Sequence, residues 1–238
     1  MRVEIWSDIA CPWCYVGKAR FEKALAAFPH REQVEVVHRS FELDPGRAKG
    51  DVQPVITMLT KKYGMSEQQA QAGEENLGTQ AAAEGLEYRT RGRDHGNTFD
   101  MHRLLHFAKE QGRQDELIQL FYRANFAEER SLFTEGDERL VELAVEAGLD
   151  ADATRAVLAD PAAHADDVRA DEREAAQLGA NGVPFFVLDR AYGVSGAQPA
   201  EVFAQALTQA WGDRSPLKLI DDGGAEACGP DGCAVPQH

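Results

Sequence analysis

The chain has 238 residues, 43% of them hydrophobic and 27% charged, so it can bury a substantial core and reads as an ordinary soluble globular protein of one or two domains. Forty acidic against 25 basic side chains leave a formal net charge of −15 with no basic stripe, a balance that repels phosphate backbones and anionic membrane surfaces and excludes nucleic acid and membrane as partners. No stretch reaches the ~18 apolar residues of a membrane span and no signal-peptide core opens the chain, so a cytoplasmic protein is expected.

Residues 1–44 read as strand, helix, strand. Val3-Glu4-Ile5-Trp6 is a short apolar run, Ile9-Ala10-Cys11-Pro12-Trp13-Cys14-Tyr15 a turn, Lys18 to Phe28 a helix, and Gln33 to Phe41 a second strand rich in β-branched residues. Two strands joined through a helix become parallel neighbours with a right-handed crossover. Cysteines three apart in the first turn of a helix can close a disulfide with little backbone movement. The first of them, Cys11, sits among unpaired amides that favour a thiolate, which is the chemistry of thiol–disulfide exchange.

The same spacing is also half of a zinc site. A second pair close in sequence is needed for that. The only other cysteines, Cys228 and Cys233, lie at the far end with four residues between them, so no metal is expected. In a reducing cytosol two tight pairs read as catalytic more readily than as structural staples.

Asp44-Pro45-Gly46-Arg47 breaks the pattern, and residues 45–180 form a helical unit. Pro54 to Tyr63 is its first helix, and Ser66-Glu67-Gln68-Gln69 is a capping box that opens a second, stopped by Gly85. Asn97-Thr98 caps a third helix with Met101, Leu104, Leu105 and Ala108 on its buried face. Leu117, Leu120, Phe121 and Ala124 mark a fourth, and Leu140, Leu143 and Ala144 a fifth. Asp150 to Ala159 and Pro161 to Leu178 complete the set. The acidic positions Asp137, Glu138, Glu142, Asp166, Asp167, Asp171 and Glu172 read as solvated faces. His102 and His106, four apart on one helix, lack the further ligands a zinc site requires and read as packing or capping residues.

Residues 181–212 return to strands at Pro184–Asp189 and Ala191–Gly196, then a final helix carrying Val202, Phe203, Ala206, Leu207 and Trp211. Residues 213–238 are a tail with the second cysteine pair. The expected fold class is α/β: a two-part domain split by a large all-helical insertion.

Cys11-Pro12-Trp13-Cys14-Tyr15 after a strand, the helical insertion, and Val183-Pro184 before a hairpin resemble the thioredoxin superfamily, and within it the DsbA family. Ser7-Asp8, Phe41-Glu42-Leu43-Asp44-Pro45, Asn97-Thr98 with His102-Arg103-Leu104, and Val194-Ser195-Gly196-Ala197-Gln198 are similar to its FrnE branch. The resemblance implies a thioredoxin fold, no cofactor, Cys11 as attacking thiol, Cys14 as resolving thiol, and a cis Pro184. It also implies an apolar peptide groove with Pro12, Trp13, Tyr15, Val183 and Phe185 in contact with substrate. The implied partners are protein thiols or disulfides, with the thioredoxin or glutathione system as reductant. One departure stands out. Thioredoxins place a buried acid six residues before the first cysteine; here that position is Ile5, with Glu4 on the other strand face, so Asp8 is the nearest substitute.

The activity expected is protein disulfide exchange or isomerisation, with Cys228 and Cys233 as an auxiliary redox pair. Two alternatives are a glutathione-dependent isomerase or transferase, since hydroxychromene-carboxylate isomerases and kappa-class transferases share the insertion architecture, and a non-catalytic peptide-binding or chaperone module. Lys18, one turn beyond Cys14, reads as a solvated lysine.

Overall fold

Strand β1 (Arg2–Ser7) is buried from Val3 onward on both faces, and that double burial organises the molecule. A computed structural model describes residues 1–214 and the backbone of Cys228-Gly229 and Gly232-Cys233. β1 pairs in parallel with β2 (Glu35–Ser40) and antiparallel with β5 (Phe185–Leu188), which turns into β6 (Tyr192–Ser195), giving the sheet order β2-β1-β5-β6. Ile5 stands between His38 on one side and Phe186 on the other. The β5–β6 turn passes through Asp189 and Arg190 at φ 45° and 58° and is closed by the Ala191 amide, which donates to the Leu188 carbonyl at 3.0 Å.

Alternation along β1 sends Val3 and Ile5 to one face and Glu4 and Trp6 to the other. The first face is covered by α1 (Pro12–Ala27) and α9 (Ala200–Gly212): Phe203 packs edge-on against Phe21 and Phe186 at 5.7 and 4.5 Å between ring centroids, and Phe21 lies tilted on Phe186 at 5.5 Å. The second is covered by α8 (Ala165–Gln177): Trp6 packs with Ala175 and Val187 and donates its indole N–H to the Asp171 carbonyl at 2.8 Å.

Between β2 and β5 lies the helical insertion. It comprises α2 (Val55–Tyr63), α3 (Glu67–Ala83), α4 (Phe99–Glu110), α5 (Gln114–Phe126), α6 (Asp137–Glu146), α7 (Ala151–Ala159) and α8, around an apolar core that includes Leu104, Leu117, Phe121 and Leu143. The capping box forms: the Gln69 amide donates to Ser66 Oγ at 3.2 Å and the Ser66 amide to Gln69 Oε1 at 2.9 Å. Gly85 ends that segment at φ +77°, a conformation that favours glycine.

Several expectations are corrected. The insertion is not wholly helical, because β3 (Gln53–Pro54) and β4 (Asp94–His95) form a two-residue antiparallel ladder, too short to leave an alternating signature. Pro54 is extended and precedes α2 rather than opening it. α8 starts at Ala165, after a turn at 161–164 that ends with His164 in the left-handed region. Asp171 is not solvated but 2% exposed, and Lys18 is 6% exposed, bound to Glu22 and Asp115 (3.0 Å) instead of to water. Among the described residues no helix is long and apolar enough to cross a membrane.

Candidate active site

β1 delivers the chain into α1 through a loop held from several sides. The Asn125 side-chain amide of α5 donates to the Ile9 carbonyl at 2.8 Å, and the Cys11 amide donates to the Asp8 carbonyl at 3.1 Å. Cys11 is then the residue that caps α1, extended at φ −88°, ψ 110°, with Pro12 in the first helical position, where a missing N–H is harmless. The Cys14 amide donates back to the Cys11 carbonyl at 3.0 Å. The two cysteines, both free thiols, therefore share one helical turn.

Their environments differ. The Cys11 thiol faces the Val183 carbonyl at 3.6 Å and opens onto a cavity, whereas Cys14 lies behind it at 1% exposure. Burial pushes the Cys14 thiol well up; the Cys11 sulfur and the Asp8 charge push it further, and the Asp8 amide that donates to its sulfur works against them. The Val183-Pro184 bond is cis, and Pro184 packs against α1 where Gly17 leaves the room.

The cavity beside Cys11 has a volume of about 320 Å³ and is largely apolar, formed by Pro12 and Trp13 together with Met58, Leu59, Met65 and Leu77 of α2, α3 and the connection between them. A buried ion pair, Arg93 with Glu74, stands in its wall, and Arg93 also donates to the Tyr88 hydroxyl at 2.7 Å. The predicted contact residues thus divide. Pro12 and Trp13 line the cavity, with Trp13 38% exposed, and Val183 presents its carbonyl to Cys11. Tyr15 does not line it: its ring stacks on Phe126 at 5.2 Å and belongs to the insertion core. Phe185 points away too, packed against Trp6 on the α8 side.

Three residues escaped the sequence reading as parts of this site. His102, read as a packing residue, places Nε2 3.3 Å from Asp8 Oδ1, both side chains 1% exposed. Asp8 also accepts from the Leu43 amide at 2.7 Å and the Ala10 amide at 3.2 Å. Burial alone raises its carboxyl, but the His102 hydrogen bond and charge, with the Leu43 amide and Thr98, outweigh burial and hold it below the ordinary value. Asn125, a lone Asn with no spacing signal, holds the Ile9 carbonyl, and Glu42, quoted among the family motifs but given no role there, pairs with Arg169 in the loop after β2. Glu4 occupies the opposite strand face, as alternation predicts, and pairs there with Arg39 and Arg190. Among the described residues no group of three or more His, Cys, Asp or Glu is placed to hold a metal ion. Cys228 and Cys233 face one another across a short antiparallel backbone pair, and their side chains lie outside the described residues.

A strand–dithiol turn–helix, a cis proline opposite it and a helical domain between the two sheet halves define a thioredoxin-superfamily protein with a helical insertion. The family described as DSBA-like thioredoxin domain matches residues 2–208, and the chain belongs to it. The chain is similar to a solved structure of a probable DsbA oxidoreductase, SCO1869, from Streptomyces coelicolor, at 83% identity over all of both chains with a TM-score of 0.93. It is 28% identical over 209 residues, 87% of this chain and 96% of the relative, to the uncharacterized protein YwbO of Bacillus subtilis. A 2-hydroxychromene-2-carboxylate isomerase shares the fold alone, at 17% identity and a TM-score of 0.64 over 88% of this chain and 95% of that one. Family and fold support a thiol–disulfide oxidoreductase in general.

Proposed function

We propose that the protein exchanges disulfides with protein substrates through Cys11 and Cys14. The observation that carries this reading is the asymmetry of the pair: Cys11 caps α1 beside an open apolar cavity and the Val183 carbonyl, while Cys14 is enclosed and kept protonated by burial. A thiolate at Cys11 attacks a substrate disulfide, one substrate sulfur leaves as thiolate, and a mixed disulfide remains. Cys14 then attacks Cys11 Sγ, forming the Cys11–Cys14 disulfide and releasing the second substrate thiol. Run backward, the same steps oxidise a dithiol.

An extended substrate segment pairs with the Val183 backbone, and Trp13 with the walls of α2 and α3 receives an adjoining apolar side chain. Pro184 closes the site beside the sulfurs. The thioredoxin or glutathione system restores the dithiol, and Cys228 with Cys233 serves as an auxiliary pair. We place this activity in the cytoplasm, where a reducing thiol pool would return the Cys11–Cys14 pair to the dithiol.

The size of the cavity favours one second reading, a glutathione-dependent isomerase or transferase that holds a small substrate there. Insulin reduction by the parent protein and by Cys11→Ser separates the two. Loss of all reduction in the variant supports exchange. Insulin left intact by the parent, with turnover of a glutathione conjugate that survives Cys11→Ser, overturns it.

A further inference from the structure

The ion pair in the wall of the cavity beside Cys11 has half of its hydrogen-bonding capacity unused. Glu74 of α3 accepts from Arg93 and from the Tyr88 hydroxyl (3.1 Å), both at Oε2, and among the described residues Oε1 accepts from none. Arg93 donates from Nε to the Arg89 carbonyl at 2.9 Å and from Nη2 to Glu74 and the Tyr88 hydroxyl, while Nη1 donates to no described residue. Both side chains line the cavity, at 4% and 6% exposure, and neither open atom is among the fully enclosed ones that lack a partner. The guanidinium lies over the rings of Tyr88 and Phe126, 4.8 and 5.0 Å from their centroids, so the pair is held in place before anything binds. An acceptor and a donor left open in an apolar wall favour an occupant that satisfies both.

The rest of the cavity suits an aromatic ring. Two of the chain's four methionines, Met58 and Met65, line it beside Leu77, and thioether side chains adapt to ring faces and edges. Trp13 and Tyr63, the two aromatic members of the described exposed large hydrophobic residues, belong to the same lining. Charge narrows the choice further. Glu74 and Arg93 balance one another, so an occupant bearing a cation or an anion brings an unpaired charge into an apolar space. A neutral group that donates and accepts at one atom fits, and a phenol is such a group. Tyr88 shows the fit within the protein itself, since its hydroxyl donates to Glu74 and accepts from Arg93 at 2.7 Å. An indole only donates, a phenyl ring does neither, and a serine hydroxyl leaves the cavity unfilled.

We infer that the cavity selects protein substrates with a tyrosine within two residues of the reacting cysteine, its ring among Met58, Met65 and Leu77 and its hydroxyl bridging Glu74 Oε1 and Arg93 Nη1. Cys11 lines the same cavity, so a side chain held there brings the neighbouring substrate sulfur to the attacking thiol. The inference rests on the exchange reading above and names its substrate class. Glu74 and Arg93 set the specificity, and the two cysteines carry the chemistry.

Short peptides with a single cysteine, carried as a mixed disulfide with a chromogenic aryl thiol, test this on the whole reduced protein. Cys11 attacks the peptide sulfur and the aryl thiolate leaves, so absorbance gives the second-order rate. Gly, Leu, Phe, Tyr or O-methyltyrosine is placed in turn at each of the two positions on either side of the cysteine. At one position or more, Tyr should outrun both Phe and O-methyltyrosine about 10-fold, because a site built to bind a hydroxyl discriminates against analogues that cannot donate. Glu74→Ala should bring Tyr down to the Phe rate. Should that variant fail to fold, Gly73→Leu carries the test: no atom stands within 4 Å of that Cβ site on the cavity wall, and the added side chain fills the space and should bring Tyr, Phe and Leu to one rate. Tyr no faster than Phe at all four positions overturns the inference, and so does a Tyr advantage that survives filling the cavity. A glutathione–aryl disulfide that outruns every peptide also overturns it, making the cavity a site for a small thiol. Aryl thiolate release that persists in Cys11→Ser sinks the exchange reading itself, a result distinct from equal rates among the peptides.

Discussion

Cys11 and Cys14 are separated by two residues, yet they meet different surroundings, and the difference is testable at the level of single thiols. Cys11 faces a cavity from the end of a helix; Cys14 is one turn inside, with burial, a neighbouring sulfur and the Asp8 charge all opposing its ionisation. Under iodoacetamide, Cys11 should alkylate first, and Cys14 only at strongly alkaline pH, as peptide mapping by mass spectrometry across pH would record. Superimposable pH profiles for the two thiols would contradict this asymmetry. Cys14→Ser should retain the first attack and accumulate a mixed disulfide at Cys11, visible as a mass adduct.

The position of α1 against the Val183-Pro184 segment depends on Gly17. A Cβ there meets the Pro184 ring at 2.9 Å and the Ala197 backbone at 3.3 Å, so the helix lies as close as glycine permits. Gly17→Ala should therefore destabilise the protein by about 1–3 kcal/mol in urea unfolding and slow insulin reduction, since the displaced helix carries Cys11 away from the Val183 carbonyl. Gly73→Ala on α3 is the control: no atom approaches its Cβ site, and the better helix propensity makes it neutral or slightly stabilising. At the other end of α3, Ser66→Ala removes one hydrogen bond of the capping box and should lower stability by about 1 kcal/mol with exchange rates intact.

Across the whole molecule, α8 is fastened to the sheet by charge as well as by Trp6. Asp171 accepts from Arg39 at Oδ1 and from the Ser40 amide at Oδ2, each at 2.9 Å, and Oδ2 also lies 3.1 Å from His106 Nε2. Arg190 of the hairpin binds Glu4 and Glu174, drawing the last strand pair into the same network. Asp171→Ala leaves the Ser40 amide without its acceptor, while Arg39 keeps Glu4 and His106 keeps Ser40 Oγ, and should reduce unfolding free energy by about 1–3 kcal/mol. Burial works to raise the Asp171 carboxyl, yet His106, the Ser40 amide and Arg39 hold it below its ordinary value. A carboxyl lowered on folding stabilises fully above its unfolded pKa and loses that contribution as pH falls through the folded value. The stability gap between parent and Asp171→Asn should thus be widest at neutral pH and shrink as the medium is acidified through the carboxylate range. The tail belongs to this scale as well: Cys228→Ser combined with Cys233→Ser should leave Cys11 alkylation unchanged and alter the rate of insulin reduction. Identical rates in the two proteins would remove the tail pair from the chemistry.

Local chemistry made much of this legible in the chain itself. A β-branched run, a proline between two cysteines and a capping box act within a few residues, so the strand, the dithiol turn and most helix boundaries follow from short-range rules. The same holds for the separation of Glu4 from the dithiol face, which needs only alternation along β1. Long-range placement decided the rest. His102, Glu42, Asp171 and Lys18 look like surface polar residues in any window of sequence. They became buried partners only when α1, α4, α8 and the loop after β2 converged across separations of some 35 to 130 residues. A charged side chain is kept inside only by a partner, and when that partner is distant in the chain, tertiary structure alone can name it.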